Sequence, residues 1–266
     1  MKPLAQCPDD ILAGLTHVFT DIDDTLTTDG LLPAAAYSAI EQLHQSGVHV
    51  VPVTGRPGGW CDMVARFWPV LGVIGENGAF SFRYDREARK MIRTYAQSEK
   101  ERQTNQAKLT QLRDDILAAV PRAAVSADQA YRISDLAIDF CEDVAPLSKE
   151  EIDQIVSIFE AAGAVAKVSS IHVNGWFGEF DKCTMTQKFV GDLGLDPFDQ
   201  SKARFLFVGD SPNDAPMFAA FDHSVGVANI RAFEDTIDTL PTYVTTANGG
   251  EGFAELAERI LNARGA

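Results

Sequence analysis

The sequence has few cysteines and no pairing pattern among them. Cys7, Cys61, Cys141 and Cys183 are scattered, and no Cys-x-x-Cys spacing occurs. This argues against a secreted disulfide framework, and scattered thiols fit a reducing compartment, so a cytoplasmic location is expected. Long apolar runs are also missing. None approaches the ~20 residues that cross a bilayer, and no membrane role is expected. Pro8, Asp9 and Asp10 interrupt the N-terminal MKPLAQCPDD, so a signal peptide is not expected either. Positive charge is scarce: 23 Lys and Arg stand against 38 Asp and Glu, a formal net charge of −15. Such a surface repels phosphate backbones, which argues against nucleic acid as a partner. Any anionic ligand would need a local positive centre. Internal repeats and low-complexity linkers are absent as well.

What is present is a chain of 266 residues, 45% of them hydrophobic, enough for one large domain or two modest ones. HVFT at 17–20 reads as a buried strand. Pro33 opens a helix striped with Ala36, Ile40 and Leu43 and closed by Gly47. VHVVPV at 48–53 is the next strand, followed by a helix with Trp60, Val64 and Phe67 and a strand at 70–74. Strands alternating with helices imply a parallel sheet. The pattern changes near residue 82. A polar helix is expected over about 104–120, an alternating strand at 136–140, a capping box at Ser148 and Glu151, and strands at 164–169 and 172–180. Helices on one face of an antiparallel sheet are the natural reading of this block. The α/β alternation returns after residue 182 with FLFV at 205–208. The expected fold is therefore an α/β core formed by residues 1–82 and 182–266, interrupted by an α+β domain over 83–181.

Four segments carry chemistry. Thr20-Asp21-Ile22-Asp23-Asp24-Thr25-Leu26 follows a buried strand, and ligands of parallel α/β sheets bind beyond the strand C-termini. Clustered carboxylates there suit a hard cation such as Mg²⁺; an acidic turn with aspartate caps is the plain alternative. Gly209-Asp210-Ser211-Pro212-Asn213-Asp214 follows a second apolar strand. Asp210 could join Asp21 and Asp23 in an oxygen cage, with Asn213 and Asp214 orienting ligands or water from behind. Val53-Thr54-Gly55-Arg56 follows a third strand, where a hydroxyl and backbone amides suit a phosphate oxygen. Lys182 begins an apolar helix, where it opposes the helix dipole and so is not there to stabilise the helix.

Taken in order, DIDDTL, VTGR, Lys182 and GDSPND resemble the four motifs of the haloacid dehalogenase superfamily of phosphohydrolases. The insertion between the second and third motifs looks like a type 2 cap, and Glu76-Asn77-Gly78-Ala79 leading into it resembles subclass IIB. The resemblance implies a Rossmann-like core and a C2B-type cap acting on a small phosphorylated metabolite, a sugar phosphate being expected. It implies Asp21 as nucleophile and Asp23 as acid and base. Thr54, Gly55 and Lys182 would hold the phosphoryl group, and Asp21, the Asp23 carbonyl and Asp210 would hold Mg²⁺. Arg132, His172 and Trp176 are the expected cap contacts to the leaving group. GDSPND looks closer to mannosyl-3-phosphoglycerate phosphatases than to phosphomannomutases, which have a longer glycine-rich form. A phosphosugar mutase and a non-catalytic phospholigand sensor are the competing readings.

Overall fold

The computed structural model describes residues 1–169 and 171–265. The first core segment contains β1 (Lys2–Pro3), α1 (Asp9–Gly14), β2 (His17–Thr20), α2 (Ala34–Gln45), β3 (His49–Pro52), α3 (Gly58–Phe67) and β4 (Val73–Gly75). A hairpin of β5 (Phe80–Asp85) and β6 (Lys90–Tyr95) follows. The insertion carries α4 (Glu99–Ala119), β7 (Ala124–Val125), β8 (Leu136–Asp139), α5 (Lys149–Ala161), β9 (Val165–Val168) and β10 (His172–Trp176). The second core segment contains α6 (Lys182–Asp192), α7 (Phe198–Ser201), β11 (Phe205–Gly209), α8 (Ala215–Ala220), β12 (His223–Gly226), β13 (Tyr243–Val244) and α9 (Gly249–Arg264). Among the described residues no helix is long and apolar enough to cross a membrane.

The core sheet has the order β1-β13-β12-β11-β2-β3, with every pairing parallel. Both faces are covered, which is why its strands are continuous apolar runs. Val18, Val50, Leu206 and Val208 point to the layer holding Ile40, Leu43, Leu256 and Ile260. Phe19, Val51, Phe205 and Phe207 point to the layer holding Met185, Phe189, Met217 and Phe218. The register sets Thr20 opposite both Val208 and Pro52. Three motif-bearing strands therefore end side by side, and the residues after them share one edge of the sheet.

The cap is an antiparallel sheet of order β7-β8-β10-β9, and Ile155 and Phe159 of α5 pack into its core with Leu109, Leu112 and Ile116 of α4. Ser148–Glu151 forms the expected capping box, and Ser98–Glu101 forms another that starts α4 five residues before the expected position. Gly175 is needed where Phe159 lies flat on β10, since a Cβ there would come within 2.1 Å of the ring.

The expected boundary at 82 falls inside β5 and needs correction. The β5–β6 hairpin extends β4, which bridges the core through Val53 and Ile74. Phe80 and Phe82 are buried in the core cluster. The hairpin as far as Tyr95 thus belongs with the core. The strand expected over 172–180 ends at Trp176, and Gly178 turns the chain with a φ of +118°.

Candidate active site

The edge shared by β2, β3 and β11 opens onto a cavity of about 720 Å³, closed from the other side by cap residues including His172 and Asn174. Asp21 leaves β2 with its N–H donating to the Val208 carbonyl at 3.0 Å. Lys182, the first residue of α6, reaches across from the third motif. Its Nζ donates to Asp21 Oδ1 at 2.7 Å and to Asp214 Oδ1 at 2.9 Å. Asp214 in turn accepts from the Asp210 N–H through Oδ2 at 3.1 Å. Gly209 makes room for this, because a Cβ there would lie 2.5 Å from that same oxygen.

Asp21, Asp210 and Asp214 are buried, with one carboxylate oxygen of each within 4.8 Å of the others. Burial pushes the Asp21 carboxyl up to about 7 even though Lys182 pulls it down. Burial, helped by Asp214 and Asp21, pushes Asp210 up to about 9. Burial works against the Lys182 charge, but Asp21 and Asp214 outweigh it and hold the ammonium well above the usual lysine range. Three carboxylates thus share one lysine, and ionising all of them calls for a further positive charge. Their all-oxygen donors suit a hard divalent cation.

Asp23 lies in the same cavity but is not one of these three carboxylates. It takes a forked bond from Arg56, Nε to Oδ1 at 3.0 Å and a terminal nitrogen to Oδ1 at 2.6 Å. The Arg56 guanidinium also sits 4.5 Å from the centre of the Trp60 ring, a stacked cation–π arrangement. Gly55 lines the cavity, while Thr54 is fully buried behind it. Thr54 Oγ1 accepts from the Arg56 N–H at 3.0 Å, which leaves the hydroxyl proton to donate. Asn213 lines the cavity mouth. Asp214, expected behind the cage, is engaged on both oxygens, by Lys182 and by the Asp210 N–H, and its carboxylate lies beside those of Asp21 and Asp210.

The cap residues divide. His172 lines the cavity, its Nε2 2.8 Å from Glu142 Oε2 at an angle that makes no hydrogen bond. Arg132 reaches the cavity, but its guanidinium pairs with Asp128 at 2.9 Å and Asp135 at 3.0 Å and donates to the Gly55 carbonyl at 3.3 Å. It joins cap to core rather than offering a free charge. Trp176 is corrected outright as a leaving-group contact. It shares a face of β10 with His172 and Asn174 but lies beyond the cavity, stacked on Phe180 with ring centres 5.7 Å apart in the core cluster.

Sequence reasoning missed four residues here. Arg56 stood in a quoted motif without a role. Asn174 follows His172 by the strand period and donates to Asp135 at 3.1 Å. Glu76 is fully buried in a left-handed conformation, φ +43°, that is uncommon for a non-glycine residue. It accepts from Gly58 N–H at 2.9 Å, Ile133 N–H at 2.8 Å and Ser134 N–H at 2.6 Å, tying the cap to α3. Asn229 gave no sequence signal.

Residues 18–136 match a family described as haloacid dehalogenase-like hydrolase. A phosphoglycolate phosphatase of Methanosarcina mazei is 28% identical over 251 residues, covering 90% of this chain and 93% of its own. One from Haloarcula marismortui is 41% identical over 75 residues, 28% of this chain and 30% of its own. Among solved structures, Thermoplasma acidophilum 0175 superposes with a TM-score of 0.70 at 18% identity, covering 92% of this chain and 98% of that one. A trehalose-6-phosphate phosphatase related protein gives 0.63 at 15% identity, over 94% and 100%. These structures share the fold.

Proposed function

We propose, from the match of residues 18–136 to haloacid dehalogenase-like hydrolases, that the chain is a Mg²⁺-dependent phosphomonoesterase working through a phosphoryl group on Asp21. The observation that carries this is Lys182 bridging Asp21 and Asp214, in the segments that follow two adjacent parallel strands, with Asp23 in the same cavity. A binding protein would need the positive charge but not both a carboxylate nucleophile and a second carboxylate beside it.

The Asp21 and Asp210 carboxylates, with the Asp23 carbonyl, would hold Mg²⁺, and the crowding of buried acids supports that assignment. Bound there, the ion supplies positive charge to the phosphoryl oxygens. The steps belong to the chain. An Asp21 oxygen forms a bond to phosphorus as the ester P–O bond breaks, and Asp23 gives the departing alkoxide a proton. Asp23 then takes a proton from water as that water attacks phosphorus, releasing phosphate and restoring Asp21. Lys182, and Thr54 through its free hydroxyl proton, stabilise charge on the phosphoryl oxygens. Arg56 aims the Asp23 carboxylate.

The substrate we infer is a small sugar phosphate. Its hydroxyls match the uncharged groups Asn174, Ser169 and Asn77 that line the cavity. The cap's cation there, Arg132, is already engaged by two aspartates. The name of the Methanosarcina relative, which aligns over most of both chains, favours a second reading, phosphoglycolate. A panel of sugar phosphates and phosphoglycolate, assayed for phosphate release with Mg²⁺ and with chelator, tests both. A hydrolase releases phosphate without a bisphosphorylated activator; hexose phosphate isomerisation that needs one would mark a mutase. Binding of the panel with no release would mark a sensor.

A further inference from the structure

Asn229 lies in the turn Ala228–Phe233 after β12, far in sequence from every motif except GDSPND. Its Nδ2 donates to the Asp24 carbonyl at 3.0 Å and to Asp210 Oδ2 at 3.3 Å. Its Oδ1 accepts from the Gly249 N–H at 3.0 Å. The opposite amide orientation would set like against like at every partner, so the network fixes which end is which. Gly249 reaches this position because the start of α9 presses on the loop after the nucleophile. Its φ is +48°, and a Cβ would stand 2.5 Å from the Thr27 carbonyl.

The other Asp210 oxygen, Oδ1, accepts from Thr25 Oγ1 at 2.9 Å. Each oxygen of this carboxylate is therefore held by a neutral donor, one from the nucleophile loop and one from Asn229. Neutral donors fix rotation without cancelling charge, and a carboxylate oxygen keeps lone pairs for a further partner. A lysine or arginine in the same place would have neutralised the group.

We propose that Asn229 is a positioning residue for the cation site: it sets the rotation of the Asp210 carboxylate relative to Asp21. The assignment rests on the reading of Asp21 and Asp210 as Mg²⁺ ligands. Asn229 also bonds the Asp24 carbonyl, so one side chain fixes the spacing between the two acidic loops. Outer partners of metal ligands typically govern affinity by 10–100-fold, and a loss of about tenfold or more is expected here.

The test is calorimetric titration of Mg²⁺ into the wild-type protein, Asn229→Ala and Asn229→Ser, with Tm measured in EDTA for each. Serine keeps a hydroxyl but is too short to span Asp210 and Asp24. The expected result is an Mg²⁺ Kd raised about tenfold or more in both variants, with far-ultraviolet circular dichroism unchanged. An unchanged Kd with a lowered Tm, or loss of fold in both variants, would make Asn229 a staple for the C-terminal helix and overturn the proposal. Wild-type protein that takes up no Mg²⁺ overturns the metal reading itself, whereas equal binding by all three proteins overturns only the role of Asn229.

Discussion

Glu76→Gln and Glu76→Ala should separate in stability by an amount set by the number of amides each abandons. The Glu76 carboxylate is fully buried and takes Gly58 and Ile133 on Oε1 and Ser134 on Oε2. Burial, with Asp135 nearby, pushes this carboxyl up, while the Ile133 and Ser134 amides and Arg132 pull it back. Three donors converging on it fit the ionised form. A hydrogen bond to a charged group contributes about 1.5–3 kcal/mol net. Glutamine with its oxygen toward Gly58 and Ile133 keeps those bonds and turns an amine against Ser134, which costs about 2 kcal/mol. Alanine abandons all three amides, and the loss should approach 5 kcal/mol. Because two of the three amides belong to the cap, hydrogen exchange at Ile133 and Ser134 should accelerate more in the alanine variant. Equilibrium urea denaturation followed by exchange measures both effects. Glutamine at wild-type stability would mean a protonated carboxyl, and equal losses for the two variants would mean the amides are not what Glu76 contributes. Either result refutes the reasoning.

Asp23→Asn should lower kcat by about 10²–10⁴-fold on sugar phosphates and by much less on p-nitrophenyl phosphate, whose leaving group needs no proton; equal losses would remove Asp23 as the acid. Trp176→Ala should destabilise the protein by about 3–5 kcal/mol while leaving the ranking of substrates unchanged, and a reordered panel would return Trp176 to the leaving-group site. Burial, with His49 and Arg204 adding, lowers His17 to about 4. The unfolded chain then binds the proton first, so stability conferred by the neutral ring is complete above about pH 6.5 and is lost as pH falls toward 4, by up to about 3 kcal/mol. His17→Phe should flatten the denaturation free energy between pH 6.5 and 5, and an unchanged slope would contradict this.

The core was legible because buried parallel strands are short apolar runs that stop abruptly at polar residues. HVFT before Asp21 and FLFVG before Asp210 mark two strand ends at one edge of the sheet in plain sequence. The capping box at Ser148 was equally local. What escaped was set by long-range pairing. The alternation of FSFRYD reads the same whichever sheet the strand joins, so the cap boundary was drawn through it. Strand period placed Trp176 on the same face as His172, but not the distance at which the cavity ends and Phe180 begins. Arg132 was expected at the leaving group because nothing in the sequence shows that Asp128 and Asp135 both turn toward it. Glu76 and Asn229 act through backbone amides and a carbonyl brought from distant segments, which no residue pattern encodes.

Rapid acid quench of wild-type protein with a sugar phosphate and Mg²⁺, followed by peptide mass spectrometry, tests the central claim most directly. The peptide carrying Asp21 should gain the mass of one phosphoryl group within the first turnover, lose it as phosphate appears, and yield homoserine at position 21 on borohydride reduction. Phosphate release with no modification at Asp21 at any quench time, or a phosphoryl group found on another residue, would contradict the account.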